Sequence, residues 1–286
     1  MRLVYAADLH GEPQAYAALV ELAITQQANA VLLGGDLFAY HITAAPQLTF
    51  AQGPFHRFAD LLRREGIRLL VIPGNVDRPA SIEYQHVLQE AALLCLLDLQ
   101  PYQLTDPSNS ADAVQVVGYP YVPPTPFRLK DHERRDLALD VYPGPWPVLV
   151  SGADADSGPI ETRPEHLDRL PSIEEELAEI PIMSQPVILV AHSPPYSRTL
   201  DTTQVGIHAG SRAIRAWISM QHPLLALHGH IHEAPEISGQ WTEVIGSTLC
   251  INPGPAWRTG LQAVAIDTAR SVRDVYHTRY GQVNPL

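Results

Sequence analysis

RLVYAADLHG, residues 2–11, sets the reading of this chain. Residues 2–7 form a short, mostly apolar run of the length and composition expected of a buried strand. The run ends in Asp8 and His10, two side chains that can hold a ligand. The same plan recurs along the chain. AVLLGGD, residues 30–36, delivers Asp36 after two glycines, and IRLLVIPGNVD, residues 67–77, delivers Asn75. PVILVAH, residues 186–192, delivers His192, and PLLALHGHIHE, residues 223–233, runs from a strand into His230 and His232. Helices are predicted between these strands. Residues 12–27 place Tyr16, Leu19, Val20, Ala23 and Ile24 on one face. Phe55, Phe58, Leu61 and Leu62 mark a second helix that Gly66 ends, and a third spans about 81–95. This alternation specifies an α/β layered domain, and such sheets place ligand sites at the carboxyl ends of their strands.

The middle of the chain is less regular. Prolines from Pro120 to Pro147 favour extended connections between 101 and 147, interrupted by a short charged helix at about 129–140. A strand is expected at 147–152. The acidic stretch 153–170 contains Asp154-Ala-Asp156-Ser-Gly158, which superficially resembles a calcium loop. Its glycine comes one position early and displaces a needed oxygen ligand, so that reading is rejected. Ser172 and Glu175 form a capping box for a helix at 173–180, and Ser211 is an N-cap for a helix at 211–221. The last third is mostly short strands, at 248–251, 261–266 and 271–278. No repeat or clean boundary divides the chain. It is read as one domain, 1–286, with a Pro-rich and acidic variable segment at about 100–170.

The 286 residues are 45% hydrophobic and 17% charged, which supplies a sizeable core and excludes wholesale disorder. A formal net charge of −12 argues against bulk nucleic-acid or anionic-membrane binding. Cys95 and Cys250 stand far apart in sequence, with no CxxC, and give no disulfide framework. The start of the chain lacks the apolar core and cleavage site of a signal peptide, and no apolar stretch reaches membrane-spanning length. The expectation is a soluble cytoplasmic protein.

Taken singly, the polar strand-end residues have ordinary explanations: a helix cap for Asp8, turn residues for Asp36 and Asn75, a core histidine for His192. Together, seven metal-capable side chains at five strand ends point to a metal site. AADLHG, GGDLF, PGNVD, AHSPP and GHIH occur in that order. This resembles the calcineurin-like metallophosphoesterase superfamily, whose pattern is DxH, GD, GNH(D/E), H and GHxH. The resemblance covers nearly the whole chain. It implies a metallophosphoesterase-type αββα sandwich, two mixed β-sheets flanked by helices.

Carried over residue by residue, the resemblance implies two divalent metal ions. One would be held by Asp8, His10, Asp36 and His232, the other by Asp36, Asn75, His192 and His230, with Asp36 bridging. Nitrogen and oxygen ligands without thiolate suit manganese, iron or zinc. The implied chemistry is attack on phosphorus by a water activated between the metals. Asp36 and Asn75 are therefore counted with the catalytic residues. His228 precedes the motif and is read as a packing residue or as one that orients a ligand.

Two departures from the pattern carry weight. The histidine that usually follows the motif asparagine, where it contacts the phosphoryl group and protonates the leaving oxygen, is replaced by Val76. Asp77 loses its usual partner and is expected to cap the next helix. His208, in GIHAGSR, is the candidate replacement acid. Arg78 is a candidate phosphate contact set against a solvated surface arginine. The second departure is Ala39, which stands where an acid often follows GD. The leading expectation is a phosphodiesterase acting on a small-molecule phosphoester. The alternatives are a nuclease of the same superfamily and a noncatalytic metal-binding interaction scaffold.

Overall fold

The computed structural model describes residues 1–283 except 108, 143–147, 182, 184–185, 198, 256–259 and 269–274. Strands β1 (Arg2–Ala6), β2 (Ala30–Gly34), β3 (Arg68–Ile72) and β4 (Cys95–Leu96) run parallel and begin the first sheet. β5 (Tyr102–Asp106) and β6 (Asn109–Tyr119) form a hairpin that opens the second. β7 (Val148–Val150) and β8 (Ile160–Thr162) pair as a separate ribbon. β9 (Val187–Ala191), β10 (Leu225–Leu227), β11 (Thr242–Ile245) and β12 (Thr248–Ile251) complete the second sheet, in the order β11-β12-β10-β9-β6-β5. β13 (Val264–Asp267), β14 (Val275–His277) and β15 (Gly281–Val283) return to the first, giving β15-β14-β13-β1-β2-β3-β4.

Both sheets are mixed, and their inner faces meet. Leu3, Tyr5, Leu32 and Leu70 of the first pack against Val116, Ile188, Leu225 and Ile251 of the second. The alternate residues of β1 to β3, among them Val4, Val31 and Val71, face outward onto Tyr16, Leu19, Phe58, Leu62 and Leu88. Those five belong to helices α1 (Pro13–Thr25), α3 (His56–Arg64) and α4 (Pro79–Glu90). Between α1 and α3, α2 (Ala45–Phe50) continues into a π-helical turn at Ala51–Phe55 that contains Pro54. After the short α5 (Pro164–Asp168), α6 (Ile173–Ala178) and α7 (Arg212–Gln221) cover the other sheet with Ile173, Leu177, Ile214 and Trp217. The last helix is α8 (Ala234–Ser238). The layers are helix, sheet, sheet, helix, the αββα sandwich the resemblance implies. Strands covered on both sides read as unbroken apolar runs, which is why they were legible.

The capping box forms as expected: Ser172 Oγ accepts from Glu175 N, and Glu175 Oε2 accepts from Ser172 N. Ser211 Oγ likewise accepts from Ile214 N at 3.0 Å. Both cysteines are free. No described helix is long and apolar enough to cross a membrane.

Several expectations need correction. Residues 129–140 form turns and isolated bridges, Val122 to Glu133 and Leu129 to Leu149, instead of a charged helix. Their charges are spent on tertiary partners. Buried Lys130 pairs with Glu133 at 2.9 Å, Glu133 also accepts from Thr125 and Tyr142, and Asp136 accepts from Ser211 Oγ at 2.5 Å. The segment after 101 holds the β5–β6 hairpin, although its prolines suggested only extended connections. The helix expected to 95 stops at Glu90, and Cys95 begins a two-residue strand too short to leave a periodic signal. Ile24, placed on the apolar face of the first helix, and Leu61, which helped to mark the second, are exposed. The strands expected at 147–152 and 271–278 are seen as Val148–Val150 and Val275–His277, and residues 147 and 271–274 lie outside the described residues.

Candidate active site

The loops following β1, β2, β3, β9 and β10 converge at one end of the sandwich. Main-chain hydrogen bonds lace them together. Asp8 N donates to Gly35 O at 3.0 Å, His10 N to Asp36 O at 2.9 Å, and Gly229 N to His192 O at 3.0 Å. Asp8, His10, Asp36 and His230 all adopt left-handed backbone, with φ of 55°, 47°, 52° and 65°. Such conformations cost roughly 1 kcal/mol or more each and persist where the surroundings impose them. Here they turn side chains that would continue outward along the strand back toward a common point.

At that point, ligand atoms of Asp8, His10 and Asp36 lie within 4.8 Å of one another. The rings of His10 and His232 meet edge to face at 5.9 Å. His192 Nε2 is 3.3 Å from Asp36 Oδ1 and 3.1 Å from Asn75 Oδ1. The ring of His230 lies 5.2 Å from that of His192. His192 Nδ1 is 2.7 Å from Gly34 O, which orients the imidazole and leaves Nε2 facing the cluster. Gly74 and Gly35 make the close approach possible. A Cβ at Gly74 would stand 2.2 Å from Asp36 N and 2.8 Å from His192 Nε2, and one at Gly35 would stand 2.6 Å from His192 Nδ1.

The electrostatics are those of charges crowded out of water. Burial, reinforced by the negative charge of Asp36, raises the Asp8 carboxyl to about 8. Burial works against ionisation of Asp36, but the imidazole of His192 overrides it and holds this carboxyl below the usual range. Burial likewise opposes a charge on His192, yet Asp36 raises it to about 9. His230 is pushed down to about 3 by burial and by His192. Two buried carboxylates facing imidazoles and an amide oxygen match the hard and borderline donors that divalent cations prefer. A bound cation would favour the ionised acids that burial resists. The residues present fit a metal centre.

Around the cluster, the structure shows what sequence reasoning missed. Asp77 does not cap α4. Its carboxylate accepts from Gly74 N at 2.8 Å, Phe38 N at 3.0 Å and Leu37 N at 3.1 Å, tying the β3 loop to the β2 loop. Gln47 of α2 donates to Ala39 O and Val76 O, both at 2.8 Å. Glu233 Oε2 lies 3.4 Å from His232 Nδ1, where it can orient that ring. Gln47 and Glu233 carry no motif, and Asp77 fills the acid position of GNH(D/E) without the histidine it usually serves.

Arg78 is neither a surface residue nor part of the cavity wall. It is 1% exposed, donating to His41 O at 2.6 Å, Ile42 O at 2.8 Å and Ser151 Oγ at 3.0 Å. His228 lies just past β10 and is fully buried, its Nδ1 3.1 Å from Ala191 O and 3.0 Å from Ser193 O. It packs behind the cluster. His208 does reach the site. It shares with His10, Asp36, Asn75, Val76, His230 and His232 the wall of a cavity of about 940 Å³. Pro123, Pro124 and Phe127 of the middle segment also line it.

The calcineurin-like phosphoesterase model matches residues 1–234. No curated protein matches the chain. Among solved structures, the chain is similar to TT1561 of Thermus thermophilus, with 16% identity, a TM-score of 0.60 and coverage of 97% of this chain and 99% of that one. It is also similar to GAP50, the anchor in the inner membrane complex of Plasmodium. There the identity is 9%, the TM-score 0.51 and the coverage 99% of this chain and 86% of that one. At such identities these structures speak to the fold alone. The family match rests on the sequence itself, and the cluster at the strand ends lies within the matched residues. The chain belongs to the calcineurin-like phosphoesterase family.

Proposed function

We propose that this phosphoester hydrolase is a two-metal phosphodiesterase acting on a small-molecule substrate. The observation that carries the reading is the position of Asp36. Its carboxylate lies within reach of Asp8 and His10 and also of His192, which stands beside Asn75. One carboxylate with two oxygens can serve both groups. In this reading Asp8, His10, Asp36 and His232 hold one cation, and Asp36, Asn75, His192 and His230 hold the other. Manganese, iron and zinc all suit these donors. When bound, the cations would supply an activated water and offset charge on the phosphoryl oxygens.

The chain's own residues do the rest. Gly34 O fixes the plane of His192, and Val76 N donates to Asp36 Oδ1 at 2.9 Å, so the carboxylate cannot rotate freely. The apolar Val76 adds neither a donor nor a charge for a phosphomonoester dianion, which favours the monoanionic diester. Two arginines line the cavity, but both are already occupied. Arg212 pairs with Asp136 at 3.2 Å and Asp140 at 2.5 Å, and Arg135 donates to Ala138 O at 2.6 Å and Leu170 O at 3.0 Å. Such a wall offers little uncompensated charge to a polyanion, which supports a small substrate over nucleic acid.

The test loads the full chain with manganese, measures metal content, and compares hydrolysis of bis(p-nitrophenyl) phosphate with that of p-nitrophenyl phosphate. The reading expects close to two metals per chain and a clear preference for the diester. Metal-loaded protein that cleaves neither ester, or that prefers the monoester, would overturn it.

A further inference from the structure

Val76 leaves the metal cluster without a proton donor on one side, and the same cavity carries an imidazole on another. His208 sits on a compact turn, residues 201–209, within the connection from β9 to α7. Thr202 and His208 pair as an antiparallel bridge, Thr203 N donates to Ile207 O at 2.9 Å, and Ala209 N donates to Asp201 O at 3.1 Å. The base of the loop is Asp201. Its side chain is fully buried, with Oδ1 3.0 Å from His208 Nδ1. Gly210 N donates to Asp201 Oδ2 at 3.2 Å, and Ser197 Oγ lies 3.4 Å from Oδ1. Asp201 Oδ1 accepts in this hydrogen bond, so His208 carries its hydrogen on Nδ1 toward Asp201 and has Nε2 left for the cavity. The ring is partly exposed, at 31%, and it meets the ring of Tyr196 edge to face, with centroids 6.0 Å apart.

We propose that His208, held by Asp201, donates the proton to the leaving-group oxygen of the phosphodiester. The proposal rests on the phosphodiesterase reading above. His10, His192, His230 and His232 are assigned to cations there, and Arg78 is turned away. His208 is then the imidazole of the cavity wall whose Nε2 is not engaged by that assignment. In the step, a water oxygen forms a bond to phosphorus while the bond from phosphorus to the ester oxygen breaks. The bonding pair passes to the ester oxygen, which takes the proton from Nε2 of protonated His208 and departs as an alcohol. The attacking water loses one proton, and neutral His208 regains one from solvent. The balance is one water consumed per ester bond cleaved, with no other reactant. His208 is the catalytic residue and Asp201 a positioning residue that fixes its tautomer and ring plane.

The experiment measures kcat/KM on manganese-loaded wild type, His208→Gln and Asp201→Asn. The substrates are phosphodiesters whose leaving groups range from nitrophenol to simple alcohols. His208→Gln should lose on the order of 10²–10⁴-fold on alkyl leaving groups, with a far smaller loss on nitrophenol. It should keep its metal content and lose the fall in rate at high pH that marks deprotonation of the acid. Asp201→Asn should lose on the same substrates in the same order, through kcat more than KM. A uniform loss across all leaving groups, no loss, or loss of metal in His208→Gln would overturn the proposal. Wild type inactive even on nitrophenyl diesters would instead overturn the phosphodiesterase reading and this proposal with it, so the two failures are distinguishable. Because Asp201 is buried, thermal unfolding of Asp201→Asn is recorded alongside, and the partly exposed His208 decides the outcome.

Discussion

Asp36 Oδ1 and His192 Nε2 lie 3.3 Å apart, although Asp36 follows a strand of the first sheet and His192 a strand of the second. The contact joins the two halves of the sandwich at the cluster. Asp36→Ala should therefore remove metal from both proposed groups and abolish hydrolysis, while His228→Ala, behind the cluster, should keep near-normal metal content. The His228 variant should lose stability by roughly 2 kcal/mol, from lost packing and two orphaned carbonyls. Elemental analysis and denaturant unfolding of the two variants check this. Equal metal loss in both would mean that His228 belongs to the cluster.

Gly74→Ala is the smallest change that should disable the site from outside it. The added methyl would stand 2.3 Å from Asp36 Oδ1 as well as against Asp36 N. Backbone cannot yield cheaply there, so the β2 and β3 loops must separate. Metal affinity should fall at least tenfold while the fold survives, as read by metal titration and circular dichroism. Unchanged affinity would show that the loops separate without cost.

Arg78→Ala should act on stability. The variant leaves the His41 and Ile42 carbonyls and Asp131, 3.8 Å from the guanidinium, without their cation. The expected cost is roughly 2–4 kcal/mol. Activity per folded molecule should stay within severalfold of wild type, because the side chain lies off the cavity. A selective rise in KM without destabilisation would restore a phosphate-binding role.

His277 gives an acid-sensitive term in stability. Burial holds its imidazole down to about 4. Its Nδ1 accepts from Arg279 N at 3.0 Å and its Nε2 is 2.9 Å from Pro253 O, an arrangement that suits only the neutral ring. Unfolded, a histidine titrates near 6.5. Between these values the unfolded chain binds a proton that the folded chain does not. The contribution is thus fully present above pH 6.5 and is lost as pH falls toward 4, at about 1.4 kcal/mol per pH unit. Unfolding free energies at several pH values, compared between wild type and His277→Gln, should differ in slope by this amount within that window and run parallel above it.

Val76→His should be a poor substitute for the family histidine while His208 is present. Asp77, its expected partner, is already committed to three backbone donors. The gain on alkyl leaving groups should stay under about tenfold, smaller than a well-placed general acid supplies. In the His208→Gln background the same change should recover a larger fraction of the loss, since position 76 faces the same cavity. Rates on graded leaving groups for the single and double variants measure this. A full gain in wild type would place a competent acid at 76 and leave His208 without the role.

The strand-end residues were legible because each is a local event. An apolar run long enough for a buried strand, followed at once by an aspartate, asparagine or histidine, declares both the layer and the end of the layer at which the residue will sit. RLVYAADLHG and PVILVAH each carry that message within ten residues. The capping box at Ser172 is local in the same sense. Residues 129–140 were misread because their helical charge pattern is a local signal overruled by distant partners. Asp136 alone accepts from Ser211 and from Arg212, residues far along the chain.

The sequence by itself determined the sandwich, the family and the cluster of candidate ligands, since strand burial and motif order are written into short stretches. Tertiary structure alone decided that Asp77 ties two loops, that Arg78 is buried, that Asp36 faces His192 and that Asp201 backs His208. A buried charge or hydrogen bond is satisfied by whatever the fold brings near it, and for Asp36 that partner is 156 residues away in the chain. Periodicity reports which face of an element avoids water; it says nothing of which polar group from another element will meet it there.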